Sequence, residues 1–469
     1  MHGVILMMHH SSNAESSKLS AGDPSTTGTW ELSLGVRWRG RLLILIVTVA
    51  ACFILLETIK AAYSAAAANS TYVNQVRQAL AFDPNNPALL DRLGLLYSLL
   101  PNDFNMGEAL KNFRRAVTLN PNEASYWTNL ASTCKYMGDL NCADQAIERA
   151  QALQPKLSDM QWIVGNYYMQ TDRVDEALPY FRELLQIDPD TYAGPTFRMC
   201  LRALGDPNEV YNRVVTPQGD SQLKLSYISF LSETGNLESA FQTWRRVVKG
   251  GLPVPALDSV DPLLDNLIKV GRIQEAGEVW ADLGHMGVVP RPSSQGDNLV
   301  YNAGFEHQPL NTGFDWLYSQ VPFVNVDFAD PSAYRGSKSL RVDFTFPRNE
   351  DVAIAYHIVP VSPGQTYLLT AFARSDGITS DSGPVLRIAE VGCPQCAKPT
   401  TETTVGTTNW HPLSLQFTTA AQTQGVVVEL WRARSRTYPP NITGTFWLDD
   451  VEMKAVDASA QNAALNRTQ

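Results

Sequence analysis

Three stretches of the chain repeat one pattern: ALKNFRRAVTLNP at residues 109–121, ADQAIERAQALQP at residues 143–155 and ALPYFRELLQIDP at residues 177–189. They begin 34 residues apart, and each starts with alanine and ends with proline. Alanine lets two helices approach closely and proline cannot continue a helix, so each stretch predicts a helix that packs on a neighbour and then stops. This period predicts stacked helical hairpins, because no single hairpin can bury its apolar side alone.

A second apolar stripe precedes each stretch and predicts the first helix of each pair. The stripes are Leu90, Leu93, Gly94 and Tyr97, then Trp127, Leu130, Ala131 and Cys134, then Val164, Gly165 and Tyr168. Three such pairs in register closely resemble the tetratricopeptide repeat family. The resemblance implies an all-α solenoid over residues 70–285, whose concave surface binds protein or peptide.

The repeats extend in both directions along the chain. Ala79 and Pro84 fit the second helix of an incomplete earlier unit, and the pattern returns around Gly235 and Gly271. Spacing is broken from Thr191 to Asp220, which predicts a degenerate unit.

The predicted groove is lined by residues on the first helix of each pair. These are Asp91, Leu95, Ser98, Thr128, Ser132, Lys135, Trp162, Asn166 and Met169. Repeat proteins that grip a C-terminal carboxylate place Lys, Arg and Asn there in successive units, and only Lys135 and Asn166 match. The groove therefore suits a peptide segment or a partner helix better.

Composition and motifs exclude two broad functions. The 469 residues carry a formal net charge of −10 without a basic stripe, which argues against a general nucleic-acid binder. The chain contains no HExxH, GxSxG or phosphate-binding loop, and its seven histidines are scattered. Asp449 and Asp450 cannot flank one glycosidic bond, because adjacent strand residues point to opposite faces. We therefore predict no catalytic residue and no required cofactor.

One uncharged stretch, LLILIVTVAACFILL at residues 42–56, predicts a membrane helix. Extended to Ala62 it is long enough to span a bilayer, with Glu57 and Lys60 near its end. Arg37, Arg39 and Arg41 precede it, so the positive-inside rule puts the N-terminus in the cytoplasm and the bulk outside.

Two alternatives to a membrane span over residues 37–63 stay open. A buried core helix is the first. A cleaved signal peptide is the second, because the small residues of Ala61 to Ala68 could suit a peptidase. The polar leader, residues 1–36, argues against a signal peptide and is predicted to be disordered.

Six cysteines leave several states open. Cys134 occupies a repeat core position as a small hydrophobe, although a bridge to Cys142 is an alternative. Cys393 and Cys396 form a single CxxC pair, and zinc needs four ligands. A redox motif would need a βαβ context. We predict a local disulfide in an oxidising compartment, with an unbridged pair as the alternative.

The period changes near Gly284. Residues 286–297 indicate a linker, and after it apolar residues alternate, as at Leu340, Val342, Phe344 and Phe346. About eight short strands separated by turns predict an all-β sandwich or jelly roll.

Four segments resemble, in order, the galactose-binding-like jelly rolls, which include many carbohydrate-binding modules. They are NLVYNAGFE at residues 298–306, which resembles the opening strand, GSKSLRV at 336–342, VSPGQTY at 361–367 and TFWLDDV at 445–451. The resemblance implies a β-sandwich over residues 298–456. We also predict a disordered tail over residues 457–469.

The same resemblance implies two kinds of ligand. Glu306 and Asp450, assisted by Asp449, would hold a structural calcium ion, and the alternative is that these acids end strands at the surface. Sugar contacts would come from Trp316, Tyr318, Tyr334, Trp431 and Arg432, unless these side chains belong to the core.

The sequence as a whole predicts a single-pass, exported scaffold in a cell envelope. The repeats would bind a protein and the sandwich a polysaccharide. One alternative is a hydrolase or lyase that acts on a glycan and carries its catalytic residues on the sandwich. A second alternative is a purely structural sandwich that caps the solenoid.

Overall fold

The computed structural model describes residues 37–290 and 297–456. The predicted leader, the predicted tail and residues 291–296 of the predicted linker lie outside the described residues. The chain divides into two compact units, Met1–Ala146 and Ile147–Gln469.

The first unit is helical. Its elements are α1 (Arg37–Ala68), α2 (Val73–Phe82), α3 (Pro87–Leu99), α4 (Met106–Leu119), α5 (Ala124–Tyr136) and the start of α6 (Leu140–Leu153). Asn86 caps α3, because its side chain accepts hydrogen bonds from the N–H groups of Ala88 and Leu89. Asn105 closes the longer turn before α4 and caps that helix through the N–H of Glu108.

The second unit continues the helices and then changes to strands. After α6 come α7 (Ser158–Gln170), α8 (Val174–Ile187), α9 (Pro189–Leu204), α10 (Pro207–Val210), α11 (Ser221–Glu233), α12 (Leu237–Lys249), α13 (Asp261–Lys269) and α14 (Ile273–Met286). A π-helical turn, Tyr211–Val215, follows α10. The predicted degenerate stretch thus contains most of a long first helix and a shortened second one.

Small residues occupy equivalent positions in successive helix pairs. Ala109, Ala143 and Ala177 are fully buried near the starts of α4, α6 and α8. A β-carbon added at Gly94 would lie 2.7 Å from the Phe113 ring, and one added at Gly165 would lie 2.6 Å from the Phe181 ring. Paired helices therefore approach too closely for a larger residue at either glycine.

The helix α1 has the composition of a membrane span. An 18-residue window within Gly40–Ala68 has a mean hydropathy of 2.7, and this is the one stretch of the described residues that is long and apolar enough to cross a membrane. Its apolar window is not buried, which argues against the core-helix alternative. A signal sequence can have the same length and composition.

The described strands form two antiparallel sheets. Nine strands are present: β1 (Leu317–Tyr318), β2 (Val324–Asp330), β3 (Ser339–Phe346), β4 (Val352–Pro360), β5 (Thr366–Ile378), β6 (Val385–Glu390), β7 (Gly406–Thr418), β8 (Gly425–Arg432) and β9 (Ile442–Ala455). The orders are β1-β4-β8-β6 and β2-β3-β9-β5-β7. Leu340, Val342, Phe344 and Phe346 are buried in the core, as the alternation predicts.

The predicted opening strand, residues 298–306, forms turns instead of a regular strand. It still follows β9: the Leu299 N–H donates to the Met453 carbonyl oxygen, and the Val451 N–H donates to the Ala303 carbonyl oxygen, both at 2.9 Å. The Asn298 side chain adds a bond to each of the same two β9 residues.

The last helix pair packs directly on the β region. The Trp280 ring of α14 lies 5.9 Å from the Tyr301 ring and 6.1 Å from the Phe314 ring. Gly425 faces Ile273 so closely that a β-carbon there would lie 2.8 Å from it. The helices and strands of the second unit therefore share one packed interface.

Two disulfides are present among the described cysteines. Cys134 bonds to Cys142, and Cys393 bonds to Cys396. The first corrects the expectation that Cys134 acts only as a small hydrophobe. Cys52 is exposed on α1, and Cys200 is a buried free thiol.

Candidate functional site

Three predicted groove residues lie on α3, and the structure buries one of them. Asp91 is 8% exposed and accepts a hydrogen bond from the Asn129 side-chain amide at 2.8 Å. Burial raises the pKa of Asp91 to about 6, although the Asn129 bond opposes that rise. Leu95 and Ser98 are half-buried. Asp91 therefore joins α3 to α5 instead of lining an open surface, which corrects its predicted role.

The residues predicted on α5 and α7 keep partial exposure. Ser132 is exposed, and the half-buried ones are Thr128, Lys135, Trp162, Asn166 and Met169. The Trp162 ring lies 5.4 Å from the Tyr192 ring, and the Asn166 amide donates to the Trp162 carbonyl oxygen. Contact between these residues and a partner stays a prediction.

A groove lies between α9 and α11, where sequence reasoning placed none. Its cavity measures about 330 Å³. Phe197, Leu225 and Phe230 form a buried apolar floor, and Arg198 and Glu233 are exposed at its rim. The broken spacing after Thr191 hid this groove.

Two predicted sugar-binding residues are structural. Trp316 is fully buried, and its indole Nε1 donates to the Asn302 carbonyl oxygen at 3.2 Å. Arg432 is also fully buried, and its guanidinium donates to the carbonyl oxygens of Arg348, Glu350 and Pro440. Neither side chain can reach a sugar, so both predictions were wrong.

Tyr318 and Trp431, two more of the predicted sugar-binding residues, each pack against other side chains. The Tyr318 ring lies 4.7 Å from the Phe328 ring on the rim of the core. Trp431 is half-buried on β8, with the Arg387 guanidinium 3.2 Å from its ring centroid. Arg387 also pairs with Glu429, so the Trp431 face is already covered.

Tyr334 belongs to an aromatic cluster on the outer side of the five-stranded sheet. Its ring stacks on Phe372 of β5 at 3.7 Å, and Trp410 of β7 lies 5.9 Å away. Tyr334 is 41% exposed, and the other two rings are half-buried. We call Tyr334, Phe372, Trp410, Trp447 and Arg374 the aromatic face.

Strand pairing brings the other members of the aromatic face together. Trp447 of β9 pairs in register with Arg341 of β3 and with Arg374 of β5. The two guanidinium groups lie 5.8 Å and 4.7 Å from the Trp447 ring, within cation–π range. Arg341 pairs with Asp330 and Asp343, whereas Arg374 has no carboxylate partner among residues 37–290 and 297–456. Arg374 can therefore donate to a ligand.

The acids assigned to calcium bind N–H groups instead. Glu306 accepts from the N–H of Ser337 at 2.7 Å, and buried Asp449 accepts from the N–H groups of Tyr334 and Arg335 at 2.7 and 2.9 Å. The remaining acid, Asp450, pairs with Arg335 at 3.0 Å. No three Asp, Glu, His or Cys side chains in the described part of the chain form a metal-binding group. Calcium takes six to eight oxygen ligands. Carboxylate oxygens that already accept hydrogen bonds from N–H groups, or that pair with an arginine, do not fit this requirement.

Comparison with known proteins identifies the helical repeats. Residues 124–157 and 158–191 match the family model for the tetratricopeptide repeat. Residues 124–191 contain two tetratricopeptide repeats. Repeats of this family indicate a protein-interaction scaffold.

Parts of the chain are similar to several solved structures, with low TM-scores. The crystal structure of MamA is 17% identical over 38% of this chain and 85% of that chain, with a TM-score of 0.26. Another MamA structure, from AMB-1, is 22% identical over 25% of this chain and 63% of that chain, with a TM-score of 0.22. The enzymatically active domain of bacteriophage CBA120 tailspike protein 4 is 13% identical over 34% of this chain and 22% of that chain, with a TM-score of 0.25. These scores are too low to support an argument. No curated protein matches the sequence significantly.

Proposed function

We propose that this protein is an exported scaffold, anchored in a membrane by α1, that joins a protein partner to a cell-surface polysaccharide. The groove between α9 and α11 carries the protein-binding part. Its apolar floor and charged rim suit an extended peptide or a partner helix, which would bury apolar side chains on Phe197 and Phe230.

The packing at the C-terminal end of α1 favours an uncleaved membrane anchor over a cleaved signal peptide. Ser64 is 2% exposed and Ala67 is 6% exposed, because this part of α1 packs on α2. The small residues of 61–68 are thus explained by helix packing, and a signal peptidase would have to cut inside a packed helix. Two disulfides agree with an oxidising compartment outside the cytoplasm.

The aromatic face supports polysaccharide binding by the β region, which we propose to be a galactose-binding-like jelly roll. Tyr334 and Trp410 present ring faces on which a sugar can stack. The Arg374 guanidinium donates to hydroxyl groups, and the exposed Asp376 on the same strand accepts from them. No metal or other cofactor is needed for this binding.

Replacing Ser226 by arginine tests the protein-binding groove. Ser226 is half-buried in the groove lining, so an arginine would fill the cavity and put a charge over the apolar floor. We expect partner affinity to fall about tenfold or more. Proteins retained by the full chain in detergent would be quantified by mass spectrometry. Ser239→Arg on α12, also half-buried and outside the groove lining, is the control. Equal retention by the two variants would contradict the proposal.

Replacing Tyr334 by alanine tests the aromatic face. We expect affinity for a bound polysaccharide to fall about tenfold, because a stacking surface is lost. Tyr356→Ala is a matched control, since Tyr356 is 38% exposed on the other sheet. A glycan array would find the ligand, and calorimetry on the full chain would measure it. A blank array, or equal losses in both variants, would remove this part of the proposal. Release of reducing ends would favour the enzyme alternative.

A further inference from the structure

We propose that the turn between α2 and α3 lies on the membrane surface, where Phe82 contacts the boundary between lipid headgroups and acyl chains. The inference rests on the proposed function, in which α1 spans a bilayer. It adds a lipid-binding surface to the first repeat, beyond the span itself.

The charges on α1 mark where the bilayer ends. Residues 42–59 cover about 27 Å at the rise of an α-helix, close to the thickness of a hydrocarbon core. Arg41 precedes this stretch and Lys60 follows it. Glu57 lies one turn inside, and its carboxylate is 3.6 Å from the Lys60 ammonium. Lys60 therefore lies at the outer surface of the bilayer.

Contacts from Lys60 and the residues just after it on α1 hold the α2–α3 turn at the outer surface of the bilayer. The Lys60 ammonium lies 3.4 Å from the Asp83 carboxylate, and the Ser64 hydroxyl lies 3.5 Å from it. Just beyond Lys60, the Tyr63 ring packs edge-on against the Phe82 ring at 5.9 Å. Because α1 is one continuous helix from Arg37 to Ala68, the turn cannot move away from the bilayer without breaking these contacts.

The exposed side chains of the turn suit a lipid surface. Phe82 is 70% exposed beside Asp83, and Tyr63 is 41% exposed, at the depth where aromatic residues are enriched in membrane proteins. The exposed Arg115 donates to the Pro84 carbonyl oxygen at 3.0 Å, which puts a cation beside the turn, where it can meet lipid phosphates. The apolar surface of Phe82 is continuous with that of α1, and this continuity identifies bilayer lipid as the occupant.

Spin labels on the full chain in lipid vesicles can test this placement. Phe82→Cys and Leu99→Cys would each carry a label in a Cys52→Ser, Cys200→Ala background. Leu99 is the matched control: it is 71% exposed but lies at the far end of α3, about 18 Å from the turn. In vesicles of phosphatidylcholine and phosphatidylglycerol, we expect the Phe82 label to lose most collisions with water-soluble nickel chelate and to gain collisions with oxygen. The Leu99 label should behave as an aqueous site.

A third label, on the native Cys52 in a Cys200→Ala background, tests the membrane anchor separately from the surface contact of Phe82. A lipid-exposed Cys52 label together with equal nickel access at residues 82 and 99 would overturn the surface contact and leave the anchor intact. A water-exposed Cys52 label would overturn the anchor and the contact together. Asn85→Cys, an exposed site in the same turn, provides a second reading if the Phe82 substitution disturbs α2.

Discussion

Gly165→Val should destabilise the helical repeats by about 3 kcal/mol. Gly165 lies on α7, where the Phe181 ring of α8 would come within 2.6 Å of a β-carbon. Phe181 is fully buried and cannot swing aside. Valine would therefore force α7 and α8 apart or push Phe181 off its rotamer. Hydrogen–deuterium exchange of the full chain would measure the effect, as faster exchange of the α7 and α8 amides.

Gly107→Val is the control for this prediction. Gly107 is also a helix glycine, on α4, but it is exposed, and the nearest atom to an added β-carbon would be Asn105 Oδ1 at 3.5 Å, an ordinary contact. Valine has a better helix propensity than glycine by a few tenths of a kcal/mol, so this variant should be neutral or slightly more stable. Equal destabilisation by the two substitutions would mean that the close approach of α7 and α8 does not depend on a glycine.

The repeat architecture could be predicted because its constraints are local. Alanine at the start of each second helix and proline at its end recur at fixed spacing, and each acts on its own helix pair. The degenerate stretch was harder to predict, because α10 is only Pro207–Val210 and a π-helical turn completes the second helix. Spacing rules assume regular α-helices, so they could not find the groove between α9 and α11.

Most residues of the aromatic face could not be predicted, because they come from distant segments. Tyr334, Phe372, Trp410 and Trp447 meet only through the pairing of β5 with β7 and β9 and the fold of the loop before β3. Alternation along one strand does not reveal which strand lies beside it. Tyr334 was the one predicted member of the aromatic face. Motif position alone also suggested Trp316 and Arg432, whose side chains point into the fold.

The calcium prediction rested on information that was incomplete in a similar way. The motifs correctly bring Glu306 and Asp449 close to one loop, since both bond to N–H groups of residues 334–338. Sequence motifs identify the carboxylates but not the donors that face them. Backbone N–H groups in this loop supply the positive partners that the prediction assigned to a cation.

Lowering the pH from neutral to about 4 should destabilise the β region by about 3 kcal/mol, because the unfolded chain then protonates the His357 imidazole more readily than the folded chain does. His357 on β4 is 1% exposed, and its Nε2 accepts a hydrogen bond from the Tyr301 N–H at 3.1 Å. Its Nδ1 has no partner among the described residues. Burial lowers the pKa of His357 to about 4, from about 6.5 in an unfolded chain.

The sign of this effect follows from where the proton binds. Below about pH 6.5 the unfolded chain protonates His357 while the folded chain does not, so the unfolded state gains stability as the pH falls. The contribution of His357 to folding is complete above pH 6.5 and is lost as the pH falls through about 4. Other groups also have shifted pKa values, including Asp315, whose pKa is raised by burial. The difference between wild type and a His357 variant is therefore the quantity to measure.

His357→Gln is the informative variant, because the glutamine carbonyl can still accept the Tyr301 N–H and does not titrate. At neutral pH it should cost stability, since it loses the edge-on contact of the imidazole with the Trp316 ring, 5.2 Å away. That deficit should shrink by about 3 kcal/mol as the pH approaches 4. Hydrogen exchange of the β4 and β8 amides, corrected for the intrinsic pH dependence of exchange, would measure it. A deficit that is constant with pH would show that His357 is protonated without penalty in the folded chain, and that the packing around Trp316, Tyr301 and Trp280 is open to water.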